Sequence, residues 1–304
     1  MTDPGYTQPL YLLPFDHRNS YVTDMFHFTP PLTATQCATV IDSKQVIYEG
    51  FWQAVAGGVP MERAGILVDE EFGAGILHDA VARRYVTALS TERSGSDEFE
   101  FEYGTEFAAH IEAFRPTFAK VLVRYNPDGH ADSNRRQTGR LKELSDYCRA
   151  KRQRFMFELL VPGTNAQMDR VDGDQGSYDL NVRPELMLET IRTLQDAGIE
   201  PDIWKIEGLD RREDCERVVA MSRRDGRGDV GCIVLGRGAD EPKVVRWLQT
   251  AASVPGFIGF AVGRTSFWDA VADYTAQRAT RQEAASRIAQ RYREWATIFE
   301  RAQP

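Results

Sequence analysis

Eight short apolar runs alternate with longer stretches in which apolar residues recur at helical spacing. Uninterrupted apolar runs are typical of strands that are covered on both faces of a sheet. The predicted strands span 11–16, 64–69, 88–93, 119–126, 155–161, 203–207, 231–235 and 257–262. Helices are predicted over 33–56, 73–85, 132–150, 184–197, 211–224, 242–252 and 265–302. The segment 162–180 is predicted as a long polar loop, whose length and glycines suit a lid.

This alternation indicates a parallel sheet whose strands are joined by crossover helices. Eight strand–helix units within 304 residues predict an α/β fold, a closed (β/α)₈ TIM barrel. An open, doubly wound sheet is the alternative. The chain contains no linker rich in proline and serine, so we expect a single domain over residues 1–304.

The charge balance narrows the classes of partner. The chain has 37 Lys and Arg residues against 45 Asp and Glu residues, which gives a formal net charge of −8. This negative field disfavours nucleic acid and anionic membranes as partners, but leaves room for a small anionic substrate in a locally basic pocket. No apolar run approaches the ~20 residues of a membrane span, and the first residues lack signal-peptide features. We therefore expect a cytoplasmic protein.

Polar residues interrupt the apolar strands near their carboxyl ends, which is where TIM barrels place catalytic groups. Because side chains alternate between the faces of a strand, residues two apart share a face, so several of these charges converge if that face points inward. The residues concerned are Asp16, His17, Arg18, Asp69, Arg93, Lys120, Arg124, Asn126, Glu158, Lys205 and Glu207.

Lys205 lies inside a strand among bulky apolar neighbours. Burial disfavours the ammonium form and lowers the pKa of a lysine, and a nearby cation such as Lys120 would lower it further. A neutral amine can attack a ketone and form a Schiff base. The alternative is that Lys205 is a structural ion-pair partner of Glu158 or Glu207.

Glu158 interrupts the fifth predicted strand in the same way. A carboxylate in that setting is expected to have a raised pKa and to transfer protons near neutral pH. The alternative is a salt bridge to Lys205 or Arg124.

The last two strands end in matching turns, Gly236-Arg237-Gly238 and Gly263-Arg264, each of which opens a helix. Glycines let backbone N–H groups approach an anion, and the start of a helix adds partial positive charge. The loops after strands seven and eight form the usual phosphate cradle of this barrel. The alternative is two tight turns whose arginines pair with surface carboxylates.

The five histidines form no metal-binding motif, so neither a metal nor another cofactor is predicted. The weaker alternative is a Mg²⁺ site, in which Asp16 and Asp69 hold the ion together with a phosphorylated ligand.

Six long segments resemble a bacterial family linked to myo-inositol breakdown, often fused behind a 5-dehydro-2-deoxygluconokinase and taken to be the 2-deoxy-5-keto-D-gluconate 6-phosphate aldolase. The resemblance covers about residues 10–300. Its segments are Leu13-Pro-Phe-Asp-His-Arg, Val123-Arg-Tyr-Asn-Pro, Phe157-Glu-Leu-Leu-Val-Pro, Pro201-Asp-Ile-Trp-Lys-Ile-Glu-Gly-Leu, Ile233-Val-Leu-Gly-Arg-Gly-Ala-Asp and Gly256-Phe-Ile-Gly-Phe-Ala-Val-Gly-Arg-Thr.

The resemblance implies a class I, Schiff-base aldolase related to tagatose 1,6-bisphosphate and sulfofructose phosphate aldolases. It implies that Lys205 is the Schiff-base lysine and that Glu158 and Lys120 match the family's strand-five glutamate and strand-four lysine. Asp16 and Arg18 match the family's Asp-Gln-Arg, in which His17 replaces glutamine. Relatives of this barrel commonly associate, so the resemblance also implies a homo-oligomer.

Arg124 lies where tagatose-type relatives have an uncharged residue, and an added guanidinium there suits a substrate carboxylate. The family's kinase domain is not among these 304 residues, so the sequence supports the aldolase chemistry more strongly than an inositol role.

The leading hypothesis is cleavage of a phosphorylated keto-sugar acid to dihydroxyacetone phosphate and malonate semialdehyde. Lys205 forms the imine, Glu158 moves protons with Asp16 or water, and Arg18 and Arg124 take the carboxylate. Three alternatives stay open: an aldolase for another phosphosugar or sulfosugar phosphate, a metal-dependent lyase or isomerase, and a non-catalytic sugar-phosphate-binding protein.

Overall fold

The computed structural model describes residues 4–304 and forms a closed barrel of eight parallel strands in the order β1 to β8. The TIM barrel predicted from the sequence is therefore confirmed. The third strand departs most from its predicted span, because it begins at Val86 and ends at Ser90. The strands are Leu10–Pro14 (β1), Ala64–Val68 (β2), Val86–Ser90 (β3), Phe118–Arg124 (β4), Arg154–Leu160 (β5), Ile203–Glu207 (β6), Gly231–Leu235 (β7) and Phe257–Ala261 (β8).

Helices surround the barrel. They are Asn19–Phe26 (α1), Ala34–Ala56 (α2), Glu70–Ala82 (α3), Phe107–Phe114 (α4), Ala131–Lys151 (α5), Asn165–Asp169 (α6), Gln175–Asn181 (α7), Arg183–Asp196 (α8), Arg212–Ser222 (α9), Glu241–Ala252 (α10), Arg264–Thr275 (α11) and Arg281–Ala302 (α12). Among residues 4–304, no helix is both long enough and apolar enough to cross a membrane.

Two predictions of local structure were wrong, and capping residues explain both. The segment 162–180 holds α6 and α7 rather than a plain loop, because Thr164 and Asp174 each accept a backbone N–H at a helix start. The predicted helix over 265–302 is two helices, because Thr280 forms a capping box with Glu283 and begins α12.

A buried apolar layer fills the amino-terminal half of the barrel interior. It includes Phe118 of β4, Met156 of β5 and Ile203 of β6. Side chains two residues further along a strand point the same way, one layer nearer the carboxyl ends. Those positions are occupied by the charged residues Lys120, Glu158 and Lys205, so the candidate site rests directly on an apolar floor.

Helix α12 packs along α2 and against the closing seam of the barrel. The Tyr292 hydroxyl donates to the Tyr11 carbonyl of β1 over 2.6 Å, and Arg281 pairs with Glu49 of α2. The two helices approach so closely at Gly50 that an added Cβ would lie 2.6 Å from Cγ2 of Ile288.

Gly50→Ala should lower the free energy of unfolding by about 1–3 kcal/mol, because α12 must move away from the added methyl group. The matched control is Gly75→Ala in α3, where an added Cβ meets nothing within 4 Å. That control should raise the free energy of unfolding by about 0.5–1 kcal/mol, because alanine favours helix over glycine. Urea unfolding of both variants checks the packing, and an unaltered Gly50→Ala protein would contradict it.

Candidate active site

A cavity of about 1070 Å³ opens at the carboxyl ends of the strands. Its lining extends to the loop after β3, with Ser94 and Gly95, and to the start of the helix after β8, with Thr265 and Trp268. Its lining includes most of the residues singled out from the sequence: Asp16, His17, Arg18, Arg124, Glu158, Lys205, Gly236, Arg237, Gly238, Gly263 and Arg264.

Lys120 of β4 lies at the centre of a buried ionic cluster. Its Nζ atom is 2.8 Å from Asp16 Oδ2 and 2.8 Å from Glu158 Oε2. It is also 2.7 Å from Oε1 of Glu92, which follows β3. Burial lowers the pKa of Lys120, but the three carboxylates outweigh it and the net pKa is raised. Lys120 is therefore a permanent cation. We call Asp16, Glu92, Lys120, Glu158 and Lys205 the carboxylate–lysine cluster.

Lys205 of β6 forms a buried ion pair with Oε1 of Glu158, its register partner on β5. Burial lowers the pKa of Lys205, Glu158 raises it and Lys120 lowers it again, and the net pKa is lowered. The ion pair considered as an alternative is thus present, and it coexists with the lowered pKa that Schiff-base chemistry needs.

The raised pKa expected for Glu158 is wrong. Burial raises the pKa of Glu158, but Lys120 and Lys205 each lie against one of its carboxylate oxygens and lower the pKa by more than burial raises it. The net pKa of Glu158 is therefore below the usual range. The pKa of Asp16 is lowered for a similar reason: Lys120, His17 and Lys205 outweigh the effect of burial.

Glu92 is the member of the cluster that the sequence analysis missed. It belongs to a short hairpin after β3, in which it bridges to Phe101. Arg18 clamps this hairpin, with Nη2 2.5 Å from the Glu92 carbonyl oxygen and Nη1 2.6 Å from Glu102 Oε2. Arg18 therefore positions Glu92 in this structure. The alternation of side chains along a strand could have identified Glu92, because it lies two residues after Ser90 and shares its face, and Ser90 is the register partner of Lys120.

The two glycine turns after β7 and β8 lie across the barrel from the Glu92 hairpin, which follows β3. Gly263 passes so close to β1 that a Cβ would lie 2.5 Å from the Pro14 carbonyl oxygen. Arg264 begins α11, where its guanidinium is 2.8 Å from Ser20 Oγ and stacks over Trp268.

Arg237 is already held by protein carboxylates. It lies 2.9 Å from Asp179 and 2.8 Å from Glu207, which are 3 % and 1 % exposed in their side chains. The fully buried Arg183 joins the same two carboxylates. The partners of Arg237 are thus buried, and they tie the turn after β7 to α7. The alternative of a surface carboxylate holds for Arg264, whose Nη1 lies 3.4 Å from the exposed Asp24.

Arg124 extends into the cavity from the end of β4 and is exposed. Its Nη1 donates to the Ser96 carbonyl oxygen over 3.4 Å, the one side-chain hydrogen bond that Arg124 makes within residues 4–304. Asn126, predicted on the same face, instead donates to the Pro162 carbonyl and Gln167 of α6, outside the cavity.

The His17 ring packs edge-on to Phe267, and its buried Nδ1 has no partner among residues 4–304. Burial lowers the pKa of His17 to about 4, so the imidazole is neutral at physiological pH.

Asp69 does not join Asp16 at the site. Its carboxylate is buried, caps the start of α3 at Phe72 N and forms an ion pair with Lys44. Lys44 also donates to the His17 carbonyl over 3.0 Å and so supports the β1 loop. Across residues 4–304, no three His, Cys, Asp or Glu side chains are grouped so that they could hold a metal ion.

Residues 2–303 match a family described as "Uncharacterized protein conserved in bacteria (DUF2090)". The chain belongs to that family. No curated protein matches it in sequence.

Solved structures with the same fold include fructose-bisphosphate aldolase from Plasmodium falciparum, in complex with TRAP and a small-molecule inhibitor. It has a TM-score of 0.66 and 12 % identity, over 98 % of this chain and 92 % of that one. The crystal structure of Cgl0159 from Corynebacterium glutamicum has a TM-score of 0.56 and 14 % identity, over 97 % and 88 %. Fructose-bisphosphate aldolase from Slackia heliotrinireducens has a TM-score of 0.55 and 11 % identity, over 93 % and 86 %. At these identities the similarity concerns the fold.

Lys120→Met should lower the free energy of unfolding by about 3–5 kcal/mol at about pH 8, because it leaves buried carboxylates without their shared cation. In the wild type, Asp16 and Glu158 have lowered pKa values. Their contribution to stability is therefore present above about pH 4 and lost as the pH falls. Without Lys120, burial should raise both pKa values above those of the unfolded chain. The deficit of the variant should therefore shrink towards about pH 5.

Urea unfolding at the two pH values measures this effect. The control is Lys142→Met, which removes an exposed lysine that pairs with Asp146 and should change stability by no more than about 0.5 kcal/mol. An equal deficit of Lys120→Met at both pH values would contradict the assigned coupling.

Proposed function

We propose that this protein is a class I aldolase that cleaves a phosphorylated keto-sugar acid through a Schiff base on Lys205. The observation that carries the proposal is a buried lysine with a lowered pKa, paired with Glu158 at the base of a large cavity. The fold shared with two fructose-bisphosphate aldolases supports it. The sequence resemblance supports 2-deoxy-5-keto-D-gluconate 6-phosphate as the substrate.

The first half of the reaction forms the imine. The neutral Lys205 amine adds to the substrate ketone, and the resulting carbinolamine takes up one proton from the solvent and loses water to give a protonated imine. Glu158 lies against Lys205 Nζ, so it is placed to take up the amine proton and return it to the departing hydroxyl group. Lys120 keeps Glu158 ionised between these transfers.

The second half breaks the carbon–carbon bond. The breaking bond joins the carbon next to the imine to a carbon that carries a hydroxyl group. This hydroxyl group loses its proton, and its oxygen forms the carbonyl of malonate semialdehyde. The electrons of the carbon–carbon bond move into the imine. The enamine left on Lys205 gains a proton at carbon and is hydrolysed to dihydroxyacetone phosphate. Atoms and charges balance without a cofactor.

The substrate phosphate is assigned to the turns after β7 and β8. Helix α11 begins at Arg264 in the cavity lining, and no side chain among residues 4–304 caps its start. Arg264 also supplies a guanidinium that is 32 % exposed in its side chain. Arg237 contributes through the turn that its ion pairs fix, since its own charge is balanced by Asp179 and Glu207.

The substrate carboxylate is assigned to Arg124. The other arginines that line the cavity lie within 4 Å of a protein carboxylate, whereas Arg124 has none among residues 4–304. A guanidinium without a carboxylate partner suits bidentate binding of an acid group. The charge pattern therefore favours a phosphorylated keto-sugar acid over a sugar phosphate that has no carboxylate.

Borohydride should trap dihydroxyacetone phosphate on Lys205 of the wild-type protein, as a mass increase located by peptide mapping. Lys205→Ala should form no adduct and lose all turnover, because it has no amine to form the imine, while its circular dichroism spectrum stays unchanged. Lys142→Ala, on the outer face of α5, is the control and should label like the wild type. An adduct in Lys205→Ala, or its full activity, would refute the mechanism.

Arg124→Met should raise KM for the keto-sugar acid by about 10- to 100-fold, the loss expected for one charge-assisted contact. Trapping of dihydroxyacetone phosphate, which has no carboxylate, should proceed at the wild-type rate. Arg135→Met on the exposed face of α5 serves as the charge-matched control. Equal KM values for Arg124→Met and Arg135→Met would show that the acid group binds elsewhere.

A further inference from the structure

Glu92 has one carboxylate oxygen without a partner. Oε1 accepts a hydrogen bond from Lys120 Nζ, whereas Oε2 is buried and has no partner among residues 4–304. The residue is only 8 % exposed, and it lines the cavity. A buried carboxylate oxygen without a donor is costly, so its persistence at a cavity points to a ligand that completes it.

Glu158 lacks this freedom. Its two oxygens are held separately by Lys120 and Lys205, and the contact with Lys205 serves imine formation. The carboxylate–lysine cluster therefore contains a second carboxylate that is anchored at one oxygen and open at the other.

The cluster also carries surplus negative charge. Its three carboxylates face two amines, so the fully ionised set is left with one negative charge. Burial raises the pKa of Glu92, Asp16 raises it further, and Lys120 and Arg18 only partly offset this, so its net pKa is raised. The pKa values of Asp16 and Glu158 are lowered. Glu92 thus takes up a proton more readily than Asp16 or Glu158, the other two carboxylates of the cluster.

The position of Glu92 identifies the part of the substrate that it faces. The phosphate turns follow β7 and β8, the Schiff-base lysine is on β6, and Arg124 ends β4. A substrate held at these three points extends its aldehyde-forming half over β5 and β4, towards the loop after β3. Glu92 lies on that side and points Oε1 at Lys120.

We infer that Glu92 is a further catalytic residue, whose Oε2 takes the proton from the substrate hydroxyl group that becomes the aldehyde oxygen. This inference rests on the proposed function. The O–H bond breaks and its proton passes to Glu92, the oxygen lone pair forms the carbonyl, and the carbon–carbon bond breaks into the imine. In the condensation direction Glu92 returns the same proton to the aldehyde oxygen.

The test separates two partial reactions of dihydroxyacetone phosphate. Exchange of its carbon-bound hydrogen with deuterium from the solvent, followed by NMR, needs the imine and enamine on Lys205 but no aldehyde. Condensation with malonate semialdehyde also needs the aldehyde oxygen to be protonated. Glu92→Gln should keep both borohydride trapping and deuterium exchange, while condensation and cleavage fall by about 100-fold or more.

Glu100→Gln is the matched control, since Glu100 belongs to the same hairpin and pairs with the exposed Arg93. It should leave all three readouts unchanged. Glu92→Asp keeps an ionisable carboxyl group, so it should recover part of the condensation rate and also shows whether loss of activity reflects loss of the fold.

Parallel loss of exchange and condensation in a folded Glu92→Gln protein would overturn the inference, because it would mean that Glu92 only positions Lys205 or Lys120. Unchanged condensation would overturn it as well. If wild-type Lys205 is not trapped, the proposed function itself fails, and the assignment of Glu92 fails with it. If wild-type trapping succeeds and Glu92→Gln condenses normally, only the present inference fails.

Discussion

The site depends on one interaction, the contact of the buried Lys120 ammonium group with three carboxylates from β1, β5 and the loop after β3. None of these charges is stable alone in the barrel interior, because burial of an unpaired ion costs several kcal/mol. Together the ammonium group and the three carboxylates neutralise part of one another's charge and supply one another's hydrogen-bond partners. The Lys120 cation lowers the pKa values of both Glu158 and Lys205, with opposite consequences for charge: the carboxylate stays ionised, whereas the amine loses its proton more easily.

The apolar layer beneath the cluster completes this electrostatic arrangement. Phe118, Met156 and Ile203 exclude water from one side of the charges, while the cavity admits a substrate from the other. In such a setting, fixed charges interact more strongly than they do in water and need no reorganisation during reaction. The strand period of two is what places the apolar floor and the charged layer on the same strands.

Much of this could be predicted from the sequence. The strands are apolar runs with few polar residues, so their number, order and parallel arrangement followed directly, and charges such as Lys205 were conspicuous within them. The failures concern contacts between distant residues. The pKa of Glu158 depends on Lys120, which lies on another strand. Arg237 is neutralised by Asp179 in a segment that the sequence suggests is a loop. Glu92 was missed because its strand ends early and its hairpin is fixed by Arg18.

The seam formed by α12 has a consequence for biosynthesis. Tyr292 bonds to the Tyr11 carbonyl across a separation of 281 residues, and β8 supplies the last edge that β1 requires. Both partners are synthesised after β2 to β7, so the unpaired edge of β1 and the apolar face of α2 stay uncovered while those strands are made. Closure therefore waits for β8 and α12, and the nascent chain has to be kept from associating through that open edge until they arrive.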